Sequence, residues 1–207
     1  PDAVDYGRIL NEQRILSKID SGFIDEVWLF AFPYAGYYES VMGGREAIWC
    51  NAPPPEETQH CSRRFVIMGF NYERGVGEML ENLGHRAESM LSHVFRSLQG
   101  EGNLWERFTR YDMNFPGRAE VGNVHFAPNS VRDYDWGNRR KVSSRCDDWY
   151  TFPDLPGRTR RVNCQEWGGG DIRLHHMWWF RHFPHAPGPT HGISHNWWEY
   201  VLDPNRV

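Results

Sequence analysis

Apolar residues recur at the helical period over 76–98, where Val76, Met79, Leu80, Leu83, Ala87, Met90, Leu91, Val94 and Leu98 share one side of a helix. At about 100° per residue, Glu78, Glu81, His85 and Glu88 then form a narrow polar stripe almost opposite that face. Residues 25–32 read as a strand stopped by Pro33. Residues 64–70, Arg-Phe-Val-Ile-Met-Gly-Phe, read as a strand buried on both faces, because the apolar run is continuous rather than alternating. Residues 4–19 read as a helix closed by Ser21-Gly22, and Pro53-Pro54-Pro55 stiffens the loop between the strands. Helix, strand, loop, strand, helix implies an α+β or α/β fold, a small sheet with a long central amphipathic helix.

The pattern changes after Leu98. Residues 99–207 hold no long periodic run, so this half is expected to be mostly irregular, with short helices at 175–182 and 196–202. A chain of 207 residues suits one well-buried core. It is read as a single domain over 1–207, with a helix and strand scaffold at 1–98 and a loop-rich half at 99–207.

Composition narrows the partners. A net charge of −4 and a pI near 6.2 leave no footprint for nucleic acid or an anionic membrane. No stretch approaches the roughly 20 apolar residues of a membrane span. Pro1-Asp2-Ala3 lacks the basic and apolar regions of a signal peptide, which reads as a mature or excised chain. The aromatic fraction of 15% exceeds what a core of this size needs and leans towards ligand binding, since ring faces stack well on sugars. Four cysteines fall as two local pairs and lysine is confined to Lys18 and Lys141. That pattern predicts a secreted protein stapled by Cys50–Cys61 and Cys146–Cys164, with four reduced, buried thiols as the competing reading.

Each strand leads to a glutamate, Glu39 after the first and Glu73 after the second. The crevice outside strand carboxyl ends is a common ligand site, and two carboxylates across a bond are what glycoside hydrolysis requires. Tyr34, Tyr37, Tyr38 and Trp49, with Arg74 and His125, would line the substrate, and Glu78 and His85 are further catalytic candidates. The plainer readings are a first-turn acid favouring the helix dipole for Glu73 and an exposed loop acid for Glu39.

Metal binding is the second chemistry. Glu81 and His85 are spaced i,i+4 and His85 and Glu88 i,i+3, so one ion, zinc or calcium, is within reach of all three, with His175 as a distal ligand. Residues 77–85 have the outline of the H-E-x-x-H-x-x-G helix of zinc peptidases, yet Gly77 and Glu81 stand where both histidines should be. The stripe is equally what a surface helix keeps in water. Asp133, Asp135, Asp147 and Asp148 do not follow an EF-hand spacing and read as turn acids. No G-x-S-x-G elbow, P-loop or G-x-G-x-x-G fingerprint is present, which disfavours serine-nucleophile and nucleotide chemistry.

At Pro33-Tyr34-Ala35-Gly36, at residues 69–80 (Gly-Phe-Asn-Tyr-Glu-Arg-Gly-Val-Gly-Glu-Met-Leu) with His85-Arg86-Ala87-Glu88, and at Asn196-Trp197-Trp198, the chain resembles a group of secreted bacterial and fungal proteins without an assigned activity. The resemblance runs most of the length and implies an extracellular setting, with no catalytic residue carried over. The expectation from sequence is a secreted hydrolase of an extracellular polymer, a glycan before a peptide. Its alternatives are a metal-dependent hydrolase using the Glu/His helix, and a non-catalytic carbohydrate-binding or adhesive module.

Overall fold

The computed structural model describes residues 4–207, so the reading of Pro1-Asp2-Ala3 lies outside the described residues. The chain divides into two units, Pro1–Met90 with Tyr200–Val207, and Leu91–Glu199.

In the first unit, helices α1 (Tyr6–Glu12) and α2 (Ile15–Asp20) precede strands β1 (Glu26–Ala31), β2 (Ser40–Gly43) and β3 (Phe65–Asn71), and helix α3 (Val76–Val94) contributes residues up to 90. The sheet order is β1-β3-β2, with β1 parallel and β2 antiparallel to β3. Alternation sorts the side chains. Phe65 and Ile67 join Val27, Val41 and the Tyr6, Leu10, Leu16 and Ile19 side chains of α1 and α2. Val66, Met68 and Phe70 join Met42 on the opposite face, against Met79 and Met90 of α3. Cover on both faces explains the continuous apolar run of β3, each such side chain contributing about 1.5–3 kcal/mol by burial.

The helix read over 4–19 is two helices. In an unbroken helix Leu16 and Ile19 would lie about 120° and 180° around the axis from Leu10, pointing away from the sheet. A left-handed Arg14, at φ 51°, breaks the run and brings both into the core. The C-terminal segment returns to this unit: Arg64 N–H donates to Asn205 Oδ1 at 2.8 Å and Arg64 Nη1 donates to the Val207 carbonyl at 2.6 Å.

The second unit holds helix α4 (Leu104–Phe108), the antiparallel pair β4 (Val142–Ser144) and β5 (Arg160–Val162), helix α5 (Ile172–Arg181), and the hairpin β6 (His185–Thr190) and β7 (Ile193–Asn196); helix α6 (Trp198–Leu202) begins here. Its core is a cluster of rings. Trp105, Phe108, Trp149, Trp179, Phe183 and Trp197 pack mostly edge-on, with Phe108–Trp149 at 5.0 Å and Trp179–Phe183 at 4.7 Å between centroids. Much of the aromatic surplus is thus spent on filling an irregular unit, in the geometry ring quadrupoles favour.

All four cysteines are free and buried, which overturns the expected Cys50–Cys61 and Cys146–Cys164 disulfides. Cys50 packs with Met42 and Val66 on one face of the sheet, its Sγ 3.6 Å from Ser40 Oγ. Cys61 packs with Val41 and Phe65 on the other face, its thiol 3.4 Å from Asp20 Oδ1. An S–S bond of about 2.05 Å cannot cross a sheet. Cys146 faces Asp147 Oδ1 at 3.6 Å and Cys164 lies 3.9 Å from Gln165 Nε2. The second unit is held by ring packing and ion pairs in place of bridges.

Candidate functional site

The site in the first unit starts from a glycine. A Cβ on Gly69 would lie 2.3 Å from the Tyr38 carbonyl oxygen and 2.7 Å from Tyr37 Cβ, so only glycine lets the 37–39 segment cross strand β3 here. Gly69 N–H donates to the Glu39 carbonyl at 3.1 Å, and the Gly69 carbonyl accepts from Asn82 Nδ2 of α3 at 2.6 Å. One strand residue therefore fixes both the backbone of Glu39 and the register of the long helix. Asn51, left-handed at φ 57°, completes the frame: its Nδ2 donates to Glu39 Oε2 at 2.8 Å and its N–H donates to Ser89 Oγ at 3.0 Å. Asparagine is among the few residues that adopt this backbone readily.

Within that frame His85 sits among carboxylates. Its Nδ1 donates to Glu88 Oε2 at 3.2 Å and its Nε2 lies 3.6 Å from Glu39 Oε2. A Glu81 oxygen and a His85 ring nitrogen lie within 4.8 Å of each other. Glu81 is 8% exposed and the His85 side chain 16%, so this part of the polar stripe is not the solvated face of an ordinary surface helix. Burial pulls the His85 pKa down, but the hydrogen bond and charge of Glu88 and the charges of Glu39 and Glu81 outweigh it, and the net shift is upward. Three carboxylates around one imidazole attract a cation, whether a proton or a metal ion.

The other expected site residues fall elsewhere. Glu73 is exposed and lines an open depression of about 370 Å³ with Pro33, Tyr34, Asn71 and Arg74, a set that does not include Glu39. Glu78 turns to the start of α3, accepting from Gly75 N–H at 3.1 Å and pairing with Arg74 at 3.5 Å. Tyr34 and Trp49 are exposed. Tyr37 and Tyr38 pack beside Tyr6, whose hydroxyl accepts from the Tyr38 N–H at 2.9 Å and whose pKa burial pushes up to about 12.

His125 and His175 belong to the second unit. His125 Nδ1 lies 3.1 Å from Asp133 Oδ1 and its Nε2 3.1 Å from the Tyr134 hydroxyl. His175 is fully buried and stacked on Trp136 at 4.9 Å, and among the described residues neither of its ring nitrogens has a hydrogen-bond partner. Burial, aided by the charges of His176 and His125, holds its pKa well below the usual imidazole range. The unfolded chain then binds a proton that the folded chain refuses, so this contribution to stability is complete above about pH 6.5 and is lost as pH falls through the folded-state pKa. His175→Phe, which keeps a ring against Trp136, removes about 1.4 kcal/mol per pH unit from the acid-side slope. Urea midpoints between pH 7.5 and 5 check this; equal slopes in parent and variant would contradict it.

Sequence reasoning missed Asn51, Ser89 and the role of Gly69. The glycine inside an apolar strand was the one available signal, since it marks a close backbone approach. No protein-family model, curated protein or solved structure matches the chain.

Proposed function

We propose that this protein is a metal-dependent hydrolase. The observation that carries the reading is His85 oriented through Nδ1 by Glu88 while Nε2 faces Glu39, with Glu81 alongside. A carboxylate that fixes one ring nitrogen and leaves the other to the ion is a recurrent arrangement in metal sites. Nε2 of His85, Glu39 and Glu81 would hold a divalent ion such as zinc, and Glu88 would orient the imidazole. The bound ion would supply an acidified water and a Lewis acid at a scissile bond. Glu39 is itself oriented by Asn51, so the protein places its carboxylate before substrate arrives. Tyr38 and Trp49, both exposed and next in sequence to Glu39 and close to Asn51, offer ring faces to a sugar, which supports an extracellular glycan as substrate. The pairing of Glu39 with Glu73 as acid and base has no comparable support.

The test is elemental analysis of protein purified without chelator or affinity metal, with polysaccharide hydrolysis measured in parallel. His85→Ala is expected to lose one equivalent of metal and the turnover together. Glu88→Gln is expected to weaken metal affinity about 10–100-fold. Unchanged metal content and turnover in His85→Ala would overturn the reading.

A second reading has its own observation. Trp28, Phe30 and Phe32 alternate along edge strand β1 and its end, each more than half exposed, with Trp28 and Phe30 at 6.4 Å between centroids. Such a row suits a non-catalytic carbohydrate-binding face. It predicts that Trp28→Ala lowers retention on insoluble polysaccharide while His85→Ala leaves it intact; the reverse pattern would remove it.

A further inference from the structure

The second unit contains a cluster outside the site just described. Cys146 opens a 3₁₀ turn over Cys146–Thr151, Asp147 follows it, and His182 caps the end of α5. One ligand atom from each, the Cys146 sulfur, an Asp147 oxygen and a His182 ring nitrogen, all lie within 4.8 Å of one another. Cys146 is fully buried and His182 is 1% exposed, while Asp147 reaches solvent.

The histidine is set up in a particular way. His182 Nδ1 donates to the Trp178 carbonyl at 2.7 Å, which fixes the tautomer and leaves a lone pair on Nε2. That Nε2 is buried with no hydrogen-bond partner among the described residues. Tyr150 and Trp178 pack against the ring, at 4.2 and 4.4 Å between centroids. A buried acceptor left unmatched carries a desolvation cost that a donor or a metal ion removes. A backbone carbonyl on one nitrogen and an unused lone pair on the other is the arrangement of a metal-ligating histidine. Cys146 is fixed as well, its N–H donating to Ser144 Oγ at 3.0 Å.

We propose that Cys146, Asp147 and His182 form a zinc site, with sulfur, carboxylate oxygen and imidazole nitrogen as protein ligands and the fourth position open on the Asp147 side. The mixed S, N and O set suits zinc over calcium or magnesium, which take oxygen alone. Binding releases the Cys146 thiol proton to solvent and forms a Zn–S bond, so thiolate and carboxylate together neutralise the two charges of the ion. Arg160 is the opposing feature, donating to Asp147 at 2.5 and 3.0 Å. Its charge is shared with Glu166 at 2.8 Å; among the described residues Asp147 Oδ2 accepts only from Arg160, and the second lone pair of Oδ1, which faces the Cys146 thiol at 3.6 Å, is released when the thiol proton leaves.

The experiment uses the full-length His85→Ala protein, so that the site in the first unit does not contribute. Stripped of metal and titrated with Co²⁺, it is expected to take up one equivalent with a near-ultraviolet thiolate-to-cobalt charge-transfer band, displaced by Zn²⁺. Cys146→Ser added to this background abolishes the band, and Cys164→Ser keeps it. Should Cys146→Ser fail to fold, X-ray absorption of the zinc-loaded His85→Ala protein decides, with one sulfur expected at about 2.3 Å and lighter ligands at about 2.0–2.2 Å. No cobalt uptake, uptake without the band, a band that survives Cys146→Ser, or a shell of nitrogen and oxygen only would each overturn the site. The first unit is read separately. If His85→Ala removes all metal, this site fails and the hydrolase reading stands; if His85→Ala keeps the parent's whole metal content with one sulfur ligand, the outcome is the opposite.

Discussion

Replacing Glu26 by alanine lowers the unfolding free energy by about 3–5 kcal/mol, a cost typical of stranding one member of a buried ion pair. Arg86 lies on the sheet-facing side of α3 at 1% exposure, and its Nη1 donates to Glu26 Oε2 at 2.6 Å. Its Nε and Nη2 have no hydrogen-bond partner, so Glu26 is the guanidinium's main compensation among the described residues. Trp28 Nε1 donates to the other Glu26 oxygen, which ties the pair to the edge strand. The attraction only offsets the desolvation of the two ions, and the large effect comes from removing one of them. Adding Arg86→Met should therefore recover most of the loss, because an apolar side chain of similar length fills the space without charge. Urea unfolding of the parent, both single variants and the double variant gives the coupling directly. A Glu26→Ala midpoint within about 1 kcal/mol of the parent would show that water reaches Arg86, and the argument would fail.

Arg86 also marks how far the sequence could be read. Periodicity located α3, β1 and β3 within a residue or two at most ends, because each covers a buried face and burial is what the pattern records. It extended α3 to Leu98, past its end at Val94. Arg86 carries no spacing signal of its own, since its partner Glu26 stands sixty residues earlier on β1 and only the packing of α3 on the sheet brings the two together. Strand β2 escaped notice because four residues ending in glycine give no period, and the β6–β7 hairpin because Pro187 and Pro189 argue against a strand. The Glu81, His85 and Glu88 set was legible because neighbouring turns of one helix fix its geometry. Asn51 was not, since it reaches Glu39 through a left-handed backbone that only tertiary contacts select. The cysteines failed for the same reason: closeness in sequence suggested pairs, and the sheet placed Cys50 and Cys61 on opposite faces. Cys146, Asp147 and His182 carry no spacing signal because the ligands come from separate elements.

Gly69→Ala should be among the most damaging small substitutions in the first unit, at or above the upper end of the roughly 1–3 kcal/mol that overpacking costs. The added carbon would meet the Tyr38 carbonyl oxygen at 2.3 Å, a backbone atom that cannot swing aside as a side chain can. Either the 37–39 segment lifts off β3 and gives up the Gly69 to Glu39 hydrogen bond, or β3 shifts and strains the Asn82 contact to α3. Both routes move Glu39 relative to His85. Stability and metal uptake should therefore fall together, the affinity by at least about tenfold if the carboxylate is displaced from one ligand position. Gly75→Ala is the matched control: its nearest neighbour would be Glu78 Oε2 at 3.6 Å, an ordinary contact, and the change should stay within about 1 kcal/mol of the parent, at a helix-capping position where alanine is slightly poorer than glycine. If Gly69→Ala loses stability but binds metal as the parent does, Glu39 is not a ligand and the ion is held by the helix residues alone. If it loses neither, the strand accommodates the methyl group and the close crossing does not set the site.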